Sequence, residues 1–445
     1  MNSPPPPSQL MSEASPPLQG SVALPGDKSI SHRAMILGSI AQGVTETENL
    51  LEGEDVLATK SAMMAMGVEI ERLSPGQWRI HGKGMDSLAE PNQVLDVGNS
   101  GTSMRLLAGL LASHNFFSIL TGDDSLRRRP MGRIIQPLTR MGAKILGREG
   151  GRLAPLAIQG TELVPIHYQS PVASAQIKSA ILLAGLNTPG ETLVTEPSLS
   201  RDHTERMLTA FGAEIGRDGL TVKVDGWPTL HGQKVVVPGD ISSAAFPMVA
   251  ATLVKDSQVI LEKVGINPTR TGILDILTAM GAQITLANRH ISGGEEMADL
   301  HIQYAPLKGI EMGGDVVARA IDEFPILFIA AALAEGTTRV RDAAELRVKE
   351  SDRIAVMAQG LHQIGVQVEE LPDGMVIHGQ GGLLPGGATV DSHTDHRIAM
   401  SFLVAGLVSR QPVQVTRCAN IATSFPSFVT LMNTLNAPIR AVEGS

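Results

Sequence analysis

The stretch MGVEI, at residues 66–70, joins the end of a helix-like segment to the start of a strand-like one. Variants of this phrase return roughly every 70 residues: MGAKI (141–145), FGAEI (211–215), MGAQI (280–284), IGVQV (364–368) and, in degraded form, LNAPI (435–439). Each follows an amphipathic stretch, such as PTRTGILDILTA at 268–279. The order predicts a helix that is stopped by glycine in a left-handed cap and is followed by a strand.

A second phrase recurs between these, with a polar opening and then an apolar run of helical length. Its six copies begin near residues 28, 99, 174, 240, 322 and 394. Because each run is apolar on nearly every face, each is predicted to be a buried helix, and openings with Ser, Thr, Asp or Asn are typical of N-caps. Two phrases in the same phase argue against chance similarity, and the long period argues against a solenoid. One repeat is therefore predicted as strand, buried helix, strand, amphipathic helix, strand.

The six repeats divide into two groups of three. The tripeptide PGD occurs at 25–27 and again at 238–240, each time just before a buried helix. These two points are predicted crossovers between two domains, as expected for a chain of 445 residues. One domain would span 27–238, and the other would combine 18–26 with 239–445. Residues 1–17, which are biased toward proline and serine, are predicted to form a flexible tail.

Composition excludes several classes of protein. Aromatic residues make up only 3% of the chain and the formal net charge is −9, which argues against nucleic acid as a partner. The lone Cys418 excludes a disulfide framework and a cysteine-based zinc site. No apolar run reaches the roughly 18 residues that cross a bilayer, and the N-terminus lacks the features of a secretory signal. We therefore predict a cytoplasmic protein with no membrane partner.

The openings of the predicted helices carry chemically active side chains. A buried helix leaves its first N–H groups unpaired, and its dipole favours anions there. Cations at such openings are electrostatically unfavourable unless an anion lies between dipole and cation. Taken singly, each residue has an ordinary explanation as a cap, a solvated charge or a structural histidine, but the shared position in the repeat favours sites for small anions. The residues concerned are Lys28, Ser29, Arg33, Asn99, Gly101, Thr102, Arg105, Ser174, Gln176, Lys178, Asp322, Glu323, Asp395, His396 and Arg397.

Seven motifs occur in order along most of the chain: LPGDKSISHRA (24–34), GNSGTSMR (98–105), RRPMGR (128–133), ASAQIKSA (173–180), IDEFPIL (321–327), LRVKESDR (346–353) and DHRIAM (395–400). They resemble the 5-enolpyruvylshikimate-3-phosphate synthase family. The resemblance implies an α/β fold of two similar domains, each with three βαβαββ repeats, and an active site in the interdomain cleft. It also implies transfer of the enolpyruvyl group of phosphoenolpyruvate to shikimate 3-phosphate, with release of phosphate and without a metal or organic cofactor.

The resemblance also implies roles for residues that match the motifs. Asp322 is expected to act as the base, and Glu350 as the acid, with Lys28 as the alternative for part of that proton transfer. The implied shikimate 3-phosphate contacts are Lys28, Ser29, Arg33, Ser174, Ala175, Gln176, Arg201, Asp322 and Lys349. The implied phosphoenolpyruvate contacts are Lys28, Asn99, Gly101, Arg129, Gln176, Arg353 and Arg397. Guanidinium groups suit the carboxylate and phosphate of this substrate because they bind such groups in a bidentate manner.

The chain departs from the common pattern of this family at several positions. Thr423 stands where many members carry a lysine, Arg201 where many carry a tyrosine, Ala175 in place of a second serine and Glu345 in place of an asparagine. These changes resemble a divergent bacterial branch that includes glyphosate-tolerant enzymes. Gly101, however, is glycine, where tolerant members often have alanine, so we expect glyphosate to inhibit this chain in competition with phosphoenolpyruvate. A monomer is expected.

Two alternatives stay open at this point. The first is an enolpyruvyl transferase acting on a UDP-amino sugar; that family shares the repeat fold and usually carries a loop cysteine, which the region 120–133 lacks. The second is a non-catalytic binding protein on the same scaffold. Such a protein would be expected to lose Asp322, Glu350 or Lys28, and all three are present.

Overall fold

Two compact units make up the chain in the computed structural model, which describes residues 7–442. Unit 1 consists of the chain through Pro25, Gly239–His290 and the chain from Glu296. Unit 2 consists of Gly26–Pro238 and Ile291–Glu295. Both units mix helices with small sheets, which confirms the α/β class.

The helices alternate between buried and amphipathic members along the chain. In order they are α1 (Lys28–Ile40), α2 (Glu54–Ala65), α3 (Gly101–Ala112), α4 (Gly132–Arg140), α5 (Ala175–Gly185), α6 (His203–Ala210), α7 (Ile241–Leu253), α8 (Gly272–Ala279), α9 (Asp315–Arg319), α10 (Phe324–Leu333), α11 (Arg353–Gln363), α12 (His396–Leu407) and α13 (Phe428–Thr434). The odd-numbered helices of unit 2 correspond to the predicted buried runs. In unit 1 those runs are α7, α10 and α12.

The strands are short, and most belong to four-stranded sheets. Up to Pro238 they are β1 (Gln9–Ser12) and β2 (Gln19–Ala23), which belong to unit 1, and then the strands of unit 2: β3 (Gln42–Glu48), β4 (Glu69–Ser74), β5 (Gln77–Lys83), β6 (Leu95–Asp96), β7 (Phe117–Thr121), β8 (Lys144–Arg148), β9 (Leu153–Gln159), β10 (His167–Gln169), β11 (Glu191–Thr195), β12 (Ile215–Asp218), β13 (Thr221–Asp225) and β14 (Lys234–Val236). The remainder are β15 (Gln258–Gly265), β16 (Gln283–Ser292), β17 (Glu295–Gln303), β18 (Glu311–Met312), β19 (Glu335–Val340), β20 (Gln367–Leu371), β21 (Gly374–Gln380), β22 (Leu384–Gly386), β23 (Thr389–Asp391), β24 (Ser409–Gln411), β25 (Val413–Thr416) and β26 (Ile439–Ala441).

The sheets of unit 2 share one topology. Their strand orders are β14-β3-β5-β4, β6-β7-β9-β8 and β10-β11-β13-β12. In each sheet the first two strands are parallel and the others are antiparallel. The first sheet takes its outer strand from the end of the unit, because β14 pairs in parallel with β3 from Lys234↔Glu46 to Val236↔Glu48.

Unit 1 repeats the same arrangement in its described part. The strand orders are β2-β15-β17-β16, β18-β19-β21-β20 and β23-β25-β1-β26, with an additional parallel pair, β22-β24. Strand β2 pairs in parallel with β15, starting at Gln19↔Gln258. The repeated βαβαββ unit predicted from the family resemblance is therefore confirmed, although β1 supplies one strand of the last repeat from the other end of the chain.

The predicted flexible tail, residues 1–17, is wrong where the structure describes it. Gln9–Ser12 forms β1, which pairs antiparallel with both β25 and β26. Leu10 and Leu18 are buried in the core of unit 1. Strand pairing and apolar burial outweigh the proline bias of the segment, and residues 1–6 lie outside the described residues.

The predicted left-handed helix stops are confirmed. The positive φ angles are +90° at Gly67, +104° at Gly142, +106° at Gly212, +102° at Gly281, +86° at Gly365 and +71° at Asn436. Glycine takes this conformation without a Cβ clash, and asparagine is among the few other residues that tolerate it. The degraded sixth phrase therefore keeps the backbone turn of the other five.

Most buried helices begin with a polar N-cap, as predicted, but α1 and α3 are capped by Asp27 and Ser100 and not by Ser29 and Thr102. Side-chain oxygens of Asp27, Asp240 and Asp395 accept backbone N–H groups at the openings of α1, α7 and α12, and Ser100 and Ser174 do the same for α3 and α5. The fifth buried helix differs. Helix α10 begins after Glu323, which makes no side-chain cap bond.

Close packing of α3 on α5 brings two of these openings together. A Cβ added at Gly109 would lie 2.2 Å from the carbonyl oxygen of Ala180, so glycine is needed at this approach. Each unit otherwise has its own apolar core. The helices whose openings carry the candidate site residues of unit 2 are thus packed in one buried apolar core.

Candidate active site

Lys28 opens α1 and is oriented by a carboxylate from the next helix. Its Nζ lies 3.0 Å from Oδ2 of Asp55, in the first turn of α2. Both side chains are largely but not fully buried, with exposed fractions of 22% and 12%. Asp55 could not be predicted from the sequence, because nothing in the local pattern links it to a lysine 27 positions earlier.

A guanidinium and an amide meet at the opening of α3. Arg129 Nη2 donates to Asn99 Oδ1 at 2.6 Å, and Asn99 Nδ2 donates to Asp123 Oδ2 at 2.6 Å. A Cβ on Gly101 would lie 3.2 Å from Arg105 Nη1 and 3.3 Å from Arg129 Nη1. The structure therefore brings together Asn99, Gly101 and Arg129, as the motifs predicted.

Helix α5 joins this group through Gln176. The amide Nε2 of Gln176 donates to Thr102 Oγ1 at 3.2 Å, and its Oε1 accepts a short hydrogen bond from Arg105. Thr102 and Arg105 lie near a predicted helix opening, and the family resemblance implies no substrate contact for either residue. Here they connect the first turns of α3 and α5.

Arg33 is more deeply buried than the other predicted shikimate 3-phosphate contacts. Its exposed fraction is 4%, and its Nε and Nη2 donate to Thr204 Oγ1 at 2.7 Å and to Ser179 Oγ at 2.8 Å. Nη1 donates to the carbonyl of Ser29 at 2.9 Å. Burial lowers the pKa of Arg33 to about 10, although nearby Glu205 opposes that shift. Arg33 thus braces α1 against α5 and α6, while Ser29 and Arg201 remain partly exposed.

In unit 1, one guanidinium contacts three carboxylates. Arg353 is the first residue of α11 and has an exposed fraction of 1%. Its Nε donates to Asp395 Oδ2 at 2.8 Å, its Nη2 to Glu350 Oε2 at 2.8 Å, and its Nη1 to Asp322 Oδ1 at 3.4 Å. The predicted acid and the predicted base therefore share one cation.

The protonation states of this cluster follow from its charges. Burial alone would lower the pKa of Arg353, but Asp395, Glu350 and Asp322 together raise it above its ordinary value. Burial alone would raise the pKa of Asp395, yet Arg353 holds it below its ordinary value. Arg353 and Asp395 are thus a permanently charged pair at neutral pH.

Two further predicted cations surround Asp322. Lys349 Nζ lies 3.4 Å from Asp322 Oδ1. Arg397, near the start of α12, donates from Nη1 to the carbonyl of Asp322 at 3.0 Å and lies 3.8 Å from Glu323 Oε1. Asp322 is consequently contacted by three cationic side chains, Lys349 and Arg353 at its carboxylate and Arg397 at its backbone carbonyl.

The position where a lysine is common carries a neutral side chain. Thr423 ends the 3-10 turn Cys418–Thr423, and its Oγ1 donates to the carbonyl of Asn420 at 2.7 Å. Asn420 in turn donates to the carbonyl of Thr394, just before α12, at 2.7 Å. This segment therefore supports the opening of α12 without adding a charge to it.

One possible metal-ligand group occurs among the described residues. Glu69, Glu71 and His81 have ligand atoms within 4.8 Å of one another. They lie on β4 and β5, where Glu71 is 3.4 Å from His81 and 4.0 Å from Arg79. None of the predicted site residues belongs to this group. No helix in residues 7–442 has the length and apolar character of a membrane span.

The family model described as EPSP synthase (3-phosphoshikimate 1-carboxyvinyltransferase) matches residues 12–432. The chain belongs to this family. It is 61% identical over 434 residues to the 3-phosphoshikimate 1-carboxyvinyltransferase of Magnetococcus marinus, covering 98% of both chains. It is 56% identical to the protein of the same name from Geobacter sulfurreducens, covering 95% of this chain and 98% of that one.

Solved structures agree with this assignment. An EPSP synthase from Acinetobacter baumannii superposes with a TM-score of 0.89 at 49% identity, covering 97% of this chain and 99% of that one. The enolpyruvyl transferase NikO from Streptomyces tendae has a TM-score of 0.77 at 19% identity, covering 98% of this chain and 99% of that one, and shows the fold alone. Membership of the EPSP synthase family confirms the predicted resemblance. It also favours the predicted enzyme over the UDP-amino-sugar transferase and the non-catalytic protein.

Proposed function

We propose that the chain transfers the enolpyruvyl group of phosphoenolpyruvate to the 5-hydroxyl of shikimate 3-phosphate and releases phosphate, a step of the shikimate pathway. The observation that carries this proposal is that Asp322 and Glu350 both contact the guanidinium of Arg353, which is buried. The reaction needs one carboxyl group to donate a proton and another to accept one. Family membership supports the choice of substrates.

The addition step assigns a proton transfer to each carboxyl group. Glu350, as the carboxylic acid, protonates the methylene carbon of phosphoenolpyruvate, which makes the adjacent carbon electrophilic. The 5-hydroxyl oxygen attacks that carbon and its proton passes to Asp322. The product is a tetrahedral ketal. Lys28 is the alternative donor for part of the first proton transfer.

The elimination step reverses the first proton transfer. The Glu350 carboxylate removes a proton from the new methyl group, the carbon–oxygen bond to phosphate breaks, and the enolpyruvyl double bond re-forms. The proton on Asp322 leaves with the phosphate. The reaction thus balances with proton transfers and charge stabilisation by the chain's own side chains.

The proposed phosphoenolpyruvate site combines guanidinium groups with an amide and a glycine. Arg129, braced by Asn99, is suited to bidentate binding of a carboxylate or phosphate. Arg353 and Arg397 are guanidinium groups of the same chemistry in unit 1. The full proposed set is Lys28, Asn99, Gly101, Arg129, Gln176, Arg353 and Arg397. The proposed shikimate 3-phosphate set is Lys28, Ser29, Arg33, Ser174, Ala175, Gln176, Arg201, Asp322 and Lys349.

A phosphate-release assay with purified protein tests the proposed function. We expect phosphate only when shikimate 3-phosphate and phosphoenolpyruvate are both present. Replacing shikimate 3-phosphate by a UDP-amino sugar should give none, and release in that arm would favour the alternative transferase. Protein that binds shikimate 3-phosphate but releases no phosphate with both substrates contradicts the proposal.

Three further expectations stay proposals. Glyphosate should inhibit in competition with phosphoenolpyruvate, because Gly101 leaves the approach to Arg129 open. The chain should be a monomer, which light scattering after size-exclusion chromatography measures directly. It should also act in the cytoplasm, which cell fractionation tests.

A further inference from the structure

A buried trio of charges in unit 2 is not used by the proposed proton transfers. Lys178, on α5, has no exposed side-chain surface, and its Nζ lies 2.8 Å from both Glu196 Oε2 and Glu205 Oε1. The two glutamate side chains are only 2% and 8% exposed. Apolar side chains often stabilise a fold as well as buried ion pairs do. Stability alone therefore does not account for three buried charges at this position.

The second oxygen of Glu196 holds the opening of α5. Oε1 of Glu196 accepts a hydrogen bond from the backbone N–H of Ser174 at 3.1 Å. Ser174 is the N-cap of α5, but its own hydroxyl accepts from the N–H of Ile177 at 3.5 Å, compared with 2.9 Å for the cap at Asp27 and 2.8 Å for that at Asp240. A hydrogen bond of that length is weak. The first turn of α5 is thus held mainly by Glu196, which lies outside the helix, and less by the hydroxyl of its own N-cap.

Glu196 contacts the same helical turn at two points. The backbone N–H of Lys178 donates to the carbonyl of Ser174 at 3.1 Å, so these residues lie one turn apart. Glu196 accepts a hydrogen bond from the backbone N–H of Ser174 and pairs with the ammonium of Lys178. Glu205, on α6, contacts that ammonium as well. Two carboxylates therefore fix the first turn of α5.

Neighbouring side chains connect this trio to α1. Ser179 follows Lys178, Thr204 precedes Glu205, and their hydroxyls hydrogen-bond at 2.6 Å. Arg33 donates to both hydroxyls, at 2.8 and 2.7 Å. Helices α1, α5 and α6 are thus joined by one buried polar network at their openings.

We propose that Glu196, held by the ammonium of Lys178 that Glu205 also contacts, is a positioning residue for shikimate 3-phosphate. This inference rests on the proposed function, which places substrate contacts at residues 174–176. The N–H groups and hydroxyl at a helix opening bind an anion only when the first turn is correctly oriented. Loss of Glu196 should therefore weaken binding of shikimate 3-phosphate, whereas the groups that transfer protons remain in place.

Two substitutions of Glu196 separate its contacts. Glu196→Ala removes both, and calorimetric titration should show a rise of about tenfold or more in the Kd for shikimate 3-phosphate. The KM for phosphoenolpyruvate and kcat should stay within about threefold. Glu196→Gln keeps one carbonyl oxygen, which can accept from Ser174 or from Lys178 but not from both. Its Kd should lie between those of the wild type and the alanine variant.

A neutral version of the trio provides the decisive comparison. In Lys178→Met/Glu196→Gln/Glu205→Gln no buried ammonium competes for the oxygen of Gln at 196, so that oxygen is available to Ser174. Removing all three buried charges together is often tolerated. We expect this triple variant to bind shikimate 3-phosphate within about threefold of the wild type and more tightly than Glu196→Gln alone. If the trio only stabilised the fold, the folded variants would bind shikimate 3-phosphate with equal affinity, and only their midpoints of thermal unfolding would differ.

Glu52 offers a matched control in the same unit. It also accepts a backbone N–H, from Gly76 at 3.0 Å, and pairs with a cation, Arg72, at 2.7 Å, but it contacts no proposed substrate residue. Glu52→Gln should change the Kd for shikimate 3-phosphate by less than about twofold, even if the midpoint of thermal unfolding falls.

The outcomes distinguish this inference from the proposed function. If folded Glu196→Ala and Glu196→Gln bind shikimate 3-phosphate like the wild type, or lose affinity for both substrates equally, the positioning role is wrong. The proposed function then stands, because the wild type still releases phosphate. If the wild type releases no phosphate with both substrates, the proposed function itself is wrong, and the positioning role that rests on it is wrong as well. If Glu196→Ala does not fold, the Kd values of Glu196→Gln and of the triple variant for shikimate 3-phosphate still test the positioning role.

Discussion

Asp395 binds the guanidinium of Arg353 inside unit 1, where neither side chain is more than 1% exposed. The same carboxylate accepts the backbone N–H of Arg397 at 3.0 Å and so also caps α12. The carboxylate of Asp395 therefore orients the guanidinium of Arg353 and also fixes the backbone from which the side chain of Arg397 extends. Because Arg353 reaches Glu350 and Asp322 with its other nitrogens, the geometry of the proposed catalytic carboxyl groups depends on Asp395.

Asp395→Asn should be the most damaging conservative change in unit 1. Asparagine can still cap α12, but the buried charge of Arg353 loses its main partner, which costs about 3 kcal/mol or more of unfolding free energy. Urea unfolding measures this loss, and the KM for phosphoenolpyruvate should rise in parallel. Asp352→Asn is the matched control, since Asp352 caps α11 and pairs with the partly exposed Arg347. Equal stability of the two variants would show that the buried pair does not have this role.

Asp322→Ala and Glu350→Ala should each reduce kcat by about 10²–10⁴-fold, because each removes one proposed proton-transfer group. Both variants should still bind their substrates. Steady-state phosphate release with calorimetric titration separates the two effects. Glu370→Ala, which alters an exposed carboxylate paired with Arg347, is the control and should keep normal turnover. Near-normal turnover in either active-site variant rules out the role assigned to that residue.

Gly101→Ala should remove the inhibition by glyphosate at concentrations that inhibit the wild type. The added Cβ would lie 3.2–3.3 Å from two guanidinium groups, so Arg105 and Arg129 must move by a few tenths of an ångström. We expect the Ki for glyphosate to rise by about tenfold or more, with a smaller rise in the KM for phosphoenolpyruvate. Gly132→Ala is the control, since its Cβ would meet only Arg152, at 3.8 Å. A wild-type enzyme that is unaffected by millimolar glyphosate refutes the expected sensitivity.

Arg129→Ala should weaken phosphoenolpyruvate selectively. The side chain is held by Asn99 in an orientation suited to a planar anion, and its loss should raise the KM for phosphoenolpyruvate by about tenfold or more. The Kd for shikimate 3-phosphate should change little. Arg128→Ala, at the exposed neighbouring position, provides the comparison. A similar loss of both affinities, or equal effects of the two substitutions, contradicts the assignment.

The stability of the protein should fall in mild acid because of His32. Burial lowers the pKa of His32 to about 3, whereas the unfolded chain titrates near 6.5. Between these values the unfolded state binds more protons, so stability falls as the pH is lowered through this window and is unaffected above it. From pH 7 to pH 5 the wild type should lose about 2 kcal/mol more than His32→Gln in urea unfolding. Equal losses would mean that His32 charges freely in the folded protein.

The repeat fold could be predicted because its signals are local. A glycine stop such as Gly67 or Gly142 depends only on the backbone of a few residues, and even Asn436 preserved it. The strand at Gln9–Ser12 could not be predicted in the same way. Its partners, β25 and β26, lie at the other end of the chain, and four residues with mixed polarity contain no sign of them.

The candidate site was predictable to the extent that motifs specify residue types. The carboxylates Asp322 and Glu350 and the cations around them meet as expected from the resemblance. Their supporting partners were not found. Asp55 contacts Lys28, and Glu196 contacts Ser174 and Lys178, across sequence separations that no local pattern spans. Only the folded chain determines which carboxylate reaches which cation.

The place of β1 between β25 and β26 has a consequence for biosynthesis. Gln9 pairs with Thr416, so β1 leaves the ribosome long before its partner strands and stays unpaired until they have been made. Likewise β3 lacks its parallel neighbour until β14 appears. Pairings of such long sequence separation slow folding and expose strand edges in the meantime. During synthesis, therefore, unit 2 can complete its sheets first, whereas the last sheet of unit 1 forms only after β25 and β26 have been made.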